Sequence, residues 1–199
     1  MAQFYNELGK LINHRSMEAT EQQQATQFVP HNAVVLELGA RYGTVTCAIS
    51  EKLANKEALV TVEPDARVWK ALEDNIARNN CKAHIVKGFI SSTPMSLSNL
   101  DNYYGYGTTA SRSSDSTIPY VTLAEIQEKY GLRFNTLVAD CEGFLEQFFD
   151  ENPTFMDQLT LVMFERDYPQ KCNYAKIDAA LKEKGFKCIV NGFHSVWKK

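Results

Sequence analysis

The chain has 199 residues, of which 44% are hydrophobic, and this fits one globular domain with a buried core. A formal charge of −3 argues against a general attraction to nucleic acid or to an anionic membrane surface. No apolar run approaches a bilayer span and the N-terminus lacks a signal-peptide layout, so we expect a cytoplasmic protein without a membrane partner.

In chain order, residues 1–31 predict a helical N-terminal cover that ends at Pro30. Short apolar runs then alternate with amphipathic runs, which is typical of parallel βαβ units covered on both faces. The predicted strands are 33–38, 58–63, 82–88, 135–140, 159–165 and 186–190, and the predicted helices are 44–54, 66–80, 122–131, 145–152 and 174–185.

Two further segments complete the predicted fold. Residues 96–118 are rich in Ser, Gly, Asn and Asp and predict an irregular loop on the substrate side. Asn191-Gly192 lies between two apolar runs and predicts a hairpin with a type I′ turn. The order resembles that of class I methyltransferases: one domain over 1–199, α/β and Rossmann-like, with a seven-stranded mostly parallel sheet, a C-terminal antiparallel hairpin and helices on both faces.

Five scattered cysteines bear on the chemistry of the thiols. Their number is odd, and they form no CxxC motif. We expect reduced and mostly buried thiols at Cys47, Cys81, Cys141, Cys172 and Cys188.

The stretch 34–50, VVLELGARYGTVTCAIS, runs from a strand through a glycine turn into a helix. Gly39 and Gly43 let the backbone turn sharply and approach a ligand. The GxGxxG spacing of dinucleotide sites is missing, and Glu37 precedes the turn. A carboxylate there repels pyrophosphate but attracts an ammonium or sulfonium group, which favours S-adenosylmethionine.

Glu63 ends the next strand and is followed by Pro64-Asp65. An acid in this position accepts hydrogen bonds from ribose hydroxyls, a feature that nicotinamide-binding sites share. Glu63 therefore predicts a ribose-containing ligand without identifying the reaction.

Five segments together resemble FkbM-type S-adenosylmethionine-dependent O-methyltransferases over about residues 33–190. They are ELGARYG, VEPDARVWKALEDNIARNN, YVTLAEI, VADCEGFLEQFF and VMFERD. Glu37 stands where that family commonly has Asp, Arg41-Tyr42 replaces Asn-Ile, and Val138 replaces a frequent Lys. The resemblance implies methyl transfer to a hydroxyl of a sugar or glycan.

The predicted site has three parts. Asp140, Glu142 and Glu165, near the ends of two strands, are the catalytic candidates, acting either as a base or as ligands of Mg²⁺ or Mn²⁺. Predicted cofactor-binding residues are Glu37, Gly39, Ala40, Arg41, Tyr42, Gly43, Glu63, Pro64, Gly88, Phe89 and Asp140. Predicted substrate-binding residues are Tyr104, Tyr106, Arg112 and His14, whereas His194 is expected far from the cofactor.

Three rival functions stay open at this point. One is methylation of a small secondary metabolite, and another is nicotinamide-dependent oxidation. The third is a Rossmann-like binding module without catalysis.

Overall fold

The computed structural model describes residues 2–100 and 107–199. Its strands are β1 (Phe4–Tyr5), β2 (Leu11–Ile12), β3 (Val35–Leu38), β4 (Leu59–Glu63), β5 (His84–Lys87), β6 (Phe89–Ile90), β7 (Met95–Ser98), β8 (Thr109–Arg112), β9 (Tyr120–Val121), β10 (Thr136–Ala139), β11 (Leu161–Glu165), β12 (Lys187–Val190) and β13 (His194–Lys198). Its helices are α1 (Ala19–Phe28), α2 (Thr44–Lys52), α3 (Trp69–Arg78), α4 (Leu123–Tyr130), α5 (Leu145–Glu151), α6 (Phe155–Gln158) and α7 (Tyr174–Glu183).

The main sheet has seven strands in the order β12-β13-β11-β10-β3-β4-β5. The strands β5, β4, β3, β10 and β11 are parallel, and β13 runs antiparallel to both β11 and β12. The predicted fold class, with its antiparallel last strand, is confirmed. The carboxyl ends of β3, β4 and β10 therefore meet at one edge of the sheet, where the glycine turn lies.

Helices cover both faces of this sheet, as its strand composition requires. Successive residues of a strand point to opposite faces, so Leu36 packs into a core with α4, α5 and α7. Its neighbour Val35 packs into a second core with α1 and α2. No helix in the described part of the chain combines the length and apolar character needed to cross a bilayer.

The N-terminal cover is only partly helical, and the prediction for residues 1–31 is wrong before α1. Strands β1 and β2 form a small antiparallel hairpin instead. The Asn6 side chain accepts hydrogen bonds from the backbone N–H groups of Leu8 and Lys10, and Gly9 has a φ of +71°. These hydrogen bonds stabilise a turn in place of the predicted helix. Leu8 and Leu11 consequently stay exposed and do not form one buried helical face.

The predicted irregular loop 96–118 contains part of a strand pair. Strands β7 and β8 pair antiparallel, with Met95 opposite Arg112 and Ser98 opposite Thr109. Polar Ser and Thr residues hide this hairpin from a hydrophobic-pattern analysis, because only Met95 and Thr109 of these strands are buried.

Two local predictions fail in geometry. The hairpin at Asn191-Gly192 forms, but neither of these described residues has a positive φ, so the turn is not type I′. Cys47 and Cys81 form a disulfide with a Cα–Cα distance of 5.6 Å, so the expectation that all five thiols are reduced is wrong for this pair. Cys141, Cys172 and Cys188 are free thiols, as expected.

Candidate functional site

The glycine turn packs directly against the end of β10. Gly39 has a φ of +89°, and a Cβ built at this position would lie 1.7 Å from the carbonyl oxygen of Asp140. Only glycine tolerates both the left-handed backbone and this close approach. The turn and the predicted catalytic segment are thereby fixed side by side at the switch point of the sheet, where open α/β sheets bind ligands.

Glu63 holds the turn from the side of β4. Its carboxylate accepts hydrogen bonds from the backbone N–H of Arg41 at 2.7 Å and of Asp65 at 2.7 Å. Burial raises the pKa of Glu63 to about 7, although these two hydrogen bonds oppose the shift. Glu63 is thus a structural clamp on the turn, and each oxygen keeps a second lone pair for a ligand hydroxyl.

A central cleft opens above the turn and the ends of β3 and β4. Apolar groups such as Leu38, Val62 and Ile90 line one part of it, and carboxylates line another. The predicted cofactor residues that line this central cleft are Gly39, Arg41, Glu63, Pro64, Gly88, Phe89 and Asp140. Such a mixed lining suits a nucleoside, with the base on the apolar part and the ribose on Glu63.

Asp65, which sequence reasoning left without a role, also lines the central cleft. Arg67 donates to both of its carboxylate oxygens, with the closest contact at 2.6 Å. Burial alone would raise the pKa of Asp65, but the hydrogen bonds from Arg67 outweigh burial and lower it. The VEPD segment carried the only sequence signal for this residue.

Glu37 lies behind Gly39, in a small inner cavity between the sheet and α1 and α2. Its side chain is 1% exposed, and one oxygen accepts a hydrogen bond of 2.6 Å from Thr46. Its other oxygen, Oε1, is buried without a partner. Burial raises the pKa of Glu37 to about 7. Glu37 therefore faces this cavity and is set apart from the central cleft.

The inner cavity continues into an outer groove. Glu18 and Asp140 line the central cleft, the inner cavity and the outer groove alike, so the three spaces meet at these two residues. The carboxyl side chains that line the outer groove are Glu18, Glu21, Asp140, Glu142, Glu165 and Asp167.

Crowding of these acids perturbs their protonation. Burial raises the pKa of Asp140 well above its ordinary range, and the neighbouring charge of Glu165 adds to the effect. The interaction between the two carboxyl groups raises the pKa of Asp140 further, whereas at Glu165 it opposes the rise that burial causes. Burial and Asp167 likewise raise the pKa of Glu142. The cluster can therefore hold or accept a proton near neutral pH.

Two groups of three side chains could each hold a metal ion, because the potential ligand atoms within each group lie within 4.8 Å of one another. Asp140, Glu142 and Asp167 form one group, and Glu21, Glu165 and His194 form the other. The set predicted from the sequence for a metal was Asp140, Glu142 and Glu165, whereas the first group has Asp167 in place of Glu165. Carboxylate oxygens are the donors that Mg²⁺ prefers, so the first group fits such an ion.

Glu142 has a φ of 52°, and its Oε1 accepts a hydrogen bond of 3.1 Å from the backbone N–H of Gly107. It therefore ties the segment before β8 to the site rather than capping the helix that follows.

Several predicted site residues lie elsewhere. Ala40 and Tyr42 are buried in a core behind the turn, and Gly43 packs against Leu72 and Ile76 of α3. The Tyr42 hydroxyl donates to Glu7 at 2.5 Å. These residues shape the turn from behind.

The predicted substrate residues do not gather at the site. Arg112 forms an ion pair with Glu151 at 3.3 Å, and its side chain is 62% exposed. His14 lies 5.3 Å from the Phe4 ring and lines a separate surface groove. Tyr104 and Tyr106 lie outside the described residues.

Sequence reasoning missed four residues of the site: Glu18, Glu21, Asp167 and His194. Glu18 accepts a hydrogen bond from Thr44 at the start of α2, and neither residue belongs to a motif. The expectation that His194 lies far from the site is wrong, because the antiparallel β13 brings it beside Glu165 and into the inner cavity.

Comparisons with known proteins agree with this geometry at the level of the fold. The sequence matches no protein-family model and no curated protein sequence. The structure is similar to a precorrin-6y C5,15-methyltransferase from Geobacter metallireducens, with a TM-score of 0.54, 14% identity and coverage of 96% of this chain and 92% of that one. It is also similar to Streptococcus pneumoniae Sp1610, named for tRNA (m1A22) methylation, with a TM-score of 0.53, 11% identity and coverage of 88% and 66%.

A third similar structure is an O-methyltransferase from Bacillus cereus in complex with SAH, S-adenosylhomocysteine. Its TM-score is 0.50, its identity is 12%, and the match covers 94% of this chain and 80% of that one. Likeness at such low identity concerns the fold. The chain has the Rossmann-like fold of class I methyltransferases.

Proposed function

We propose that the protein is an S-adenosylmethionine-dependent O-methyltransferase that acts on a hydroxyl of a sugar or glycan. The observation that carries the proposal is the central cleft, where Glu63 clamps the glycine turn beside a junction of carboxylates. The class I methyltransferase fold supports methyl transfer, and the resemblance of the sequence to FkbM-type enzymes supports a sugar hydroxyl as acceptor. We propose that the protein acts in the cytoplasm.

The cleft residues suit each part of that cofactor. Phe89 and Ile90 supply apolar surface for the adenine, and the free lone pairs of Glu63 accept hydrogen bonds from the ribose hydroxyls. Glu18 and Asp140 provide negative charge where the cleft meets the other spaces. When bound, S-adenosylmethionine supplies a methyl group from a cationic sulfonium, and carboxylates favour a cation.

The acids at the junction support proton removal from an alcohol. Methyl transfer requires in-line alignment and loss of the hydroxyl proton. The hydrogen-bonded pair of Asp140 and Glu165 has a raised affinity for protons, so this pair can take the proton from an acceptor hydroxyl in the outer groove. Glu142 belongs to the same cluster and is the further catalytic candidate.

A divalent cation is the alternative use of these groups. Asp140, Glu142 and Asp167 would hold Mg²⁺ or Mn²⁺, which lowers the pKa of a bound hydroxyl. If these residues hold a metal ion, a chelator should stop methyl transfer. If they act as a general base without a metal ion, a chelator should leave methyl transfer unchanged.

Nicotinamide chemistry is disfavoured by the same charges. A dinucleotide requires donors for its pyrophosphate beside the glycine turn. Glu18 and Asp140 line that part of the central cleft instead, and their carboxylates would repel it.

The test is a turnover assay that follows SAH release from S-adenosylmethionine over a panel of glycosides, with and without EDTA. We expect SAH release that depends on a hydroxylated acceptor. Release that stops in EDTA and returns with Mn²⁺ would assign the metal role. An NADH fluorescence titration provides the matched control, and NADH binding without SAH release would contradict the proposal.

A further inference from the structure

We infer that the Cys47–Cys81 disulfide is a redox switch on the cofactor site, and that a small thiol reaches it through the surface groove that His14 lines. The oxidised protein binds the cofactor tightly, and the reduced protein binds it more weakly. The effect on the cofactor rests on the proposed function, whereas the thiol chemistry of the disulfide does not.

The disulfide joins two segments that support the glycine turn. Cys47 lies in the first turn of α2, and its backbone N–H donates a hydrogen bond of 3.0 Å to the carbonyl oxygen of Gly43, where the glycine turn ends. Cys81 follows α3, and its backbone N–H donates at 3.0 Å to the carbonyl oxygen of Ile76. Both cysteines belong to the core behind the turn, which also contains Tyr42. The bond therefore fixes the start of α2 relative to the end of α3.

The turn depends on both of these helices through non-covalent contacts. Asn75 of α3 donates a hydrogen bond of 3.0 Å to the Tyr42 carbonyl oxygen, and Thr44 of α2 donates to Glu18 at the edge of the central cleft. These contacts hold the turn in one geometry only while α2 and α3 keep their relative position. Reduction removes the covalent link between them, so a ligand that needs the ordered turn must order it on binding, and this lowers its affinity.

The disulfide is buried, but one of its cysteines faces a surface groove. Cys47 is 4% exposed and Cys81 is 6% exposed. Cys47 lines the His14 groove, whereas Cys81 is not among the described residues that line it. Uncharged amide and hydroxyl side chains form much of the remaining lining: Gln22, Gln23, Thr26, Gln27, Asn79 and Asn80. Such groups can donate hydrogen bonds to the peptide groups of glutathione and accept hydrogen bonds from them, so the groove suits a small peptide thiol.

Thiol–disulfide exchange gives the reaction a defined order. The thiolate of one glutathione attacks the Cys47 sulfur, the S–S bond breaks, and Cys81 leaves as a thiolate that takes up a proton. The Cys81 sulfur lies 3.7 Å from the carbonyl oxygen of Asn79, which accepts a hydrogen bond from the resulting thiol. A second glutathione thiolate attacks the glutathione sulfur of the mixed disulfide and releases Cys47, which is also protonated. Two glutathione molecules are oxidised to one glutathione disulfide, and the protein disulfide gains two electrons and two protons.

The cytoplasm proposed for the protein supplies such a reductant. Disulfides in cytosolic proteins are usually transient and either catalytic or redox-sensing, because thiols keep that compartment reducing. A disulfide with a structural role alone would stabilise the fold and leave the affinity for the cofactor unchanged. Coupling between the disulfide and cofactor affinity therefore distinguishes a switch from a structural cross-link.

The experiment is calorimetric titration with SAH, below the Tm of the reduced form, of three states of the full chain. They are the oxidised protein, the protein reduced with dithiothreitol, and the reduced protein reoxidised with glutathione disulfide. We expect reduction to raise the Kd for SAH by about tenfold and reoxidation to restore it. Cys81→Ser should bind SAH as the reduced wild type does. Cys188→Ser removes an exposed free thiol and should respond to reduction as the wild type does.

The same coupling must appear in the redox equilibrium, because coupling between two equilibria is reciprocal. In glutathione buffers, saturating SAH should raise the ratio [GSH]²/[GSSG] that reduces half of the protein by about the same tenfold factor. A disulfide with a structural role alone would leave this ratio unchanged.

Reduction kinetics test the route to the disulfide. The rate should be proportional to the concentration of the attacking thiolate and insensitive to urea well below the unfolding midpoint, because the thiol reaches the folded protein. Gln23→Trp places a large side chain in the His14 groove and should slow reduction severalfold. Ala124→Trp adds the same side chain at an exposed position of α4 outside this groove and should leave the rate unchanged.

Four results would overturn the inference. They are equal SAH affinity of the oxidised and reduced proteins, an unfolded reduced protein, a reduction rate that rises with urea, and an unchanged rate in Gln23→Trp. If no state binds SAH, the proposed function fails, and hydrogen exchange of the folded protein then decides the inference. Reduction should speed the exchange of the backbone amides of residues 39–47, and unchanged exchange would overturn the inference.

Discussion

The Glu37→Gln variant should change the pH dependence of stability in a defined direction. Burial raises the pKa of Glu37 from about 4.5 to about 7, with Glu18 and Glu63 adding to the shift and the hydrogen bond from Thr46 opposing it. An acid with a raised folded pKa favours the folded state below its unfolded pKa, and that contribution is lost as the pH rises through the folded pKa. Ionised Glu37 therefore destabilises the wild type at high pH.

The size of the effect follows from the two pKa values. The ionisation penalty is about 1 kcal/mol at pH 5 and about 3 kcal/mol at pH 8. Glutamine cannot ionise, so the free energy of unfolding of the variant relative to the wild type should improve by about 2 to 3 kcal/mol between these pH values. Any fixed loss from the amide cancels in this difference. The gain corresponds to a relative rise in Tm of roughly 5 to 10 °C.

Urea denaturation at pH 5 and pH 8 measures this difference for both proteins. Glu146→Gln is the matched control, because a backbone N–H of Asn173 and the charge of Lys176 lower the pKa of Glu146. The contribution of such an acid is lost only as the pH falls below about 4.5, so the Glu146→Gln difference should stay nearly constant between pH 5 and pH 8. A Glu37→Gln difference that stays constant from pH 5 to pH 8 would refute the burial argument.

Three other outcomes are expected. Gly39→Ala should abolish SAH binding and lower Tm, because its Cβ would clash with the Asp140 carbonyl oxygen. Gly131→Ala, which also has a positive φ but has open space around it, should retain SAH binding. Equal losses in the two variants would contradict the packing argument. Reduction of the Cys47–Cys81 disulfide, which spans 34 residues, should lower the free energy of unfolding by about 4 kcal/mol in urea titrations, and an unchanged midpoint would count against it. Asp140→Asn should lower kcat by roughly 10²- to 10⁴-fold with a smaller change in SAH affinity, and near-wild-type turnover would remove Asp140 from the reaction.

The sequence predicts the central sheet because its strands are buried on both faces and read as continuous apolar runs. Val35 to Leu38 and Thr136 to Ala139 are fully buried, and helices of opposite faces pack against alternate residues. The glycine turn and Glu63 are also predictable, since each follows or ends a predicted strand within a short motif and these two strands are parallel neighbours.

The rest of the site depends on contacts between distant segments, which a local pattern does not encode. Glu18 reaches Thr44 from outside any motif, and His194 reaches Glu165 only because β13 runs antiparallel to β11. The same holds for Cys47 and Cys81, whose pairing follows from the packing of α2 beside the segment after α3. Asp140, Glu142 and Glu165, which the sequence places singly near strand ends, therefore line one groove together with Glu18, Glu21 and Asp167.

The most direct test of the central claim is calorimetric titration of the wild type and of Glu63→Gln with SAH. The account predicts that the wild type binds SAH and that the variant binds it at least about tenfold more weakly, since Glu63 clamps the turn and is the proposed acceptor for the ribose hydroxyls. Absence of wild-type binding at millimolar SAH, or equal affinity of the two proteins, would contradict it.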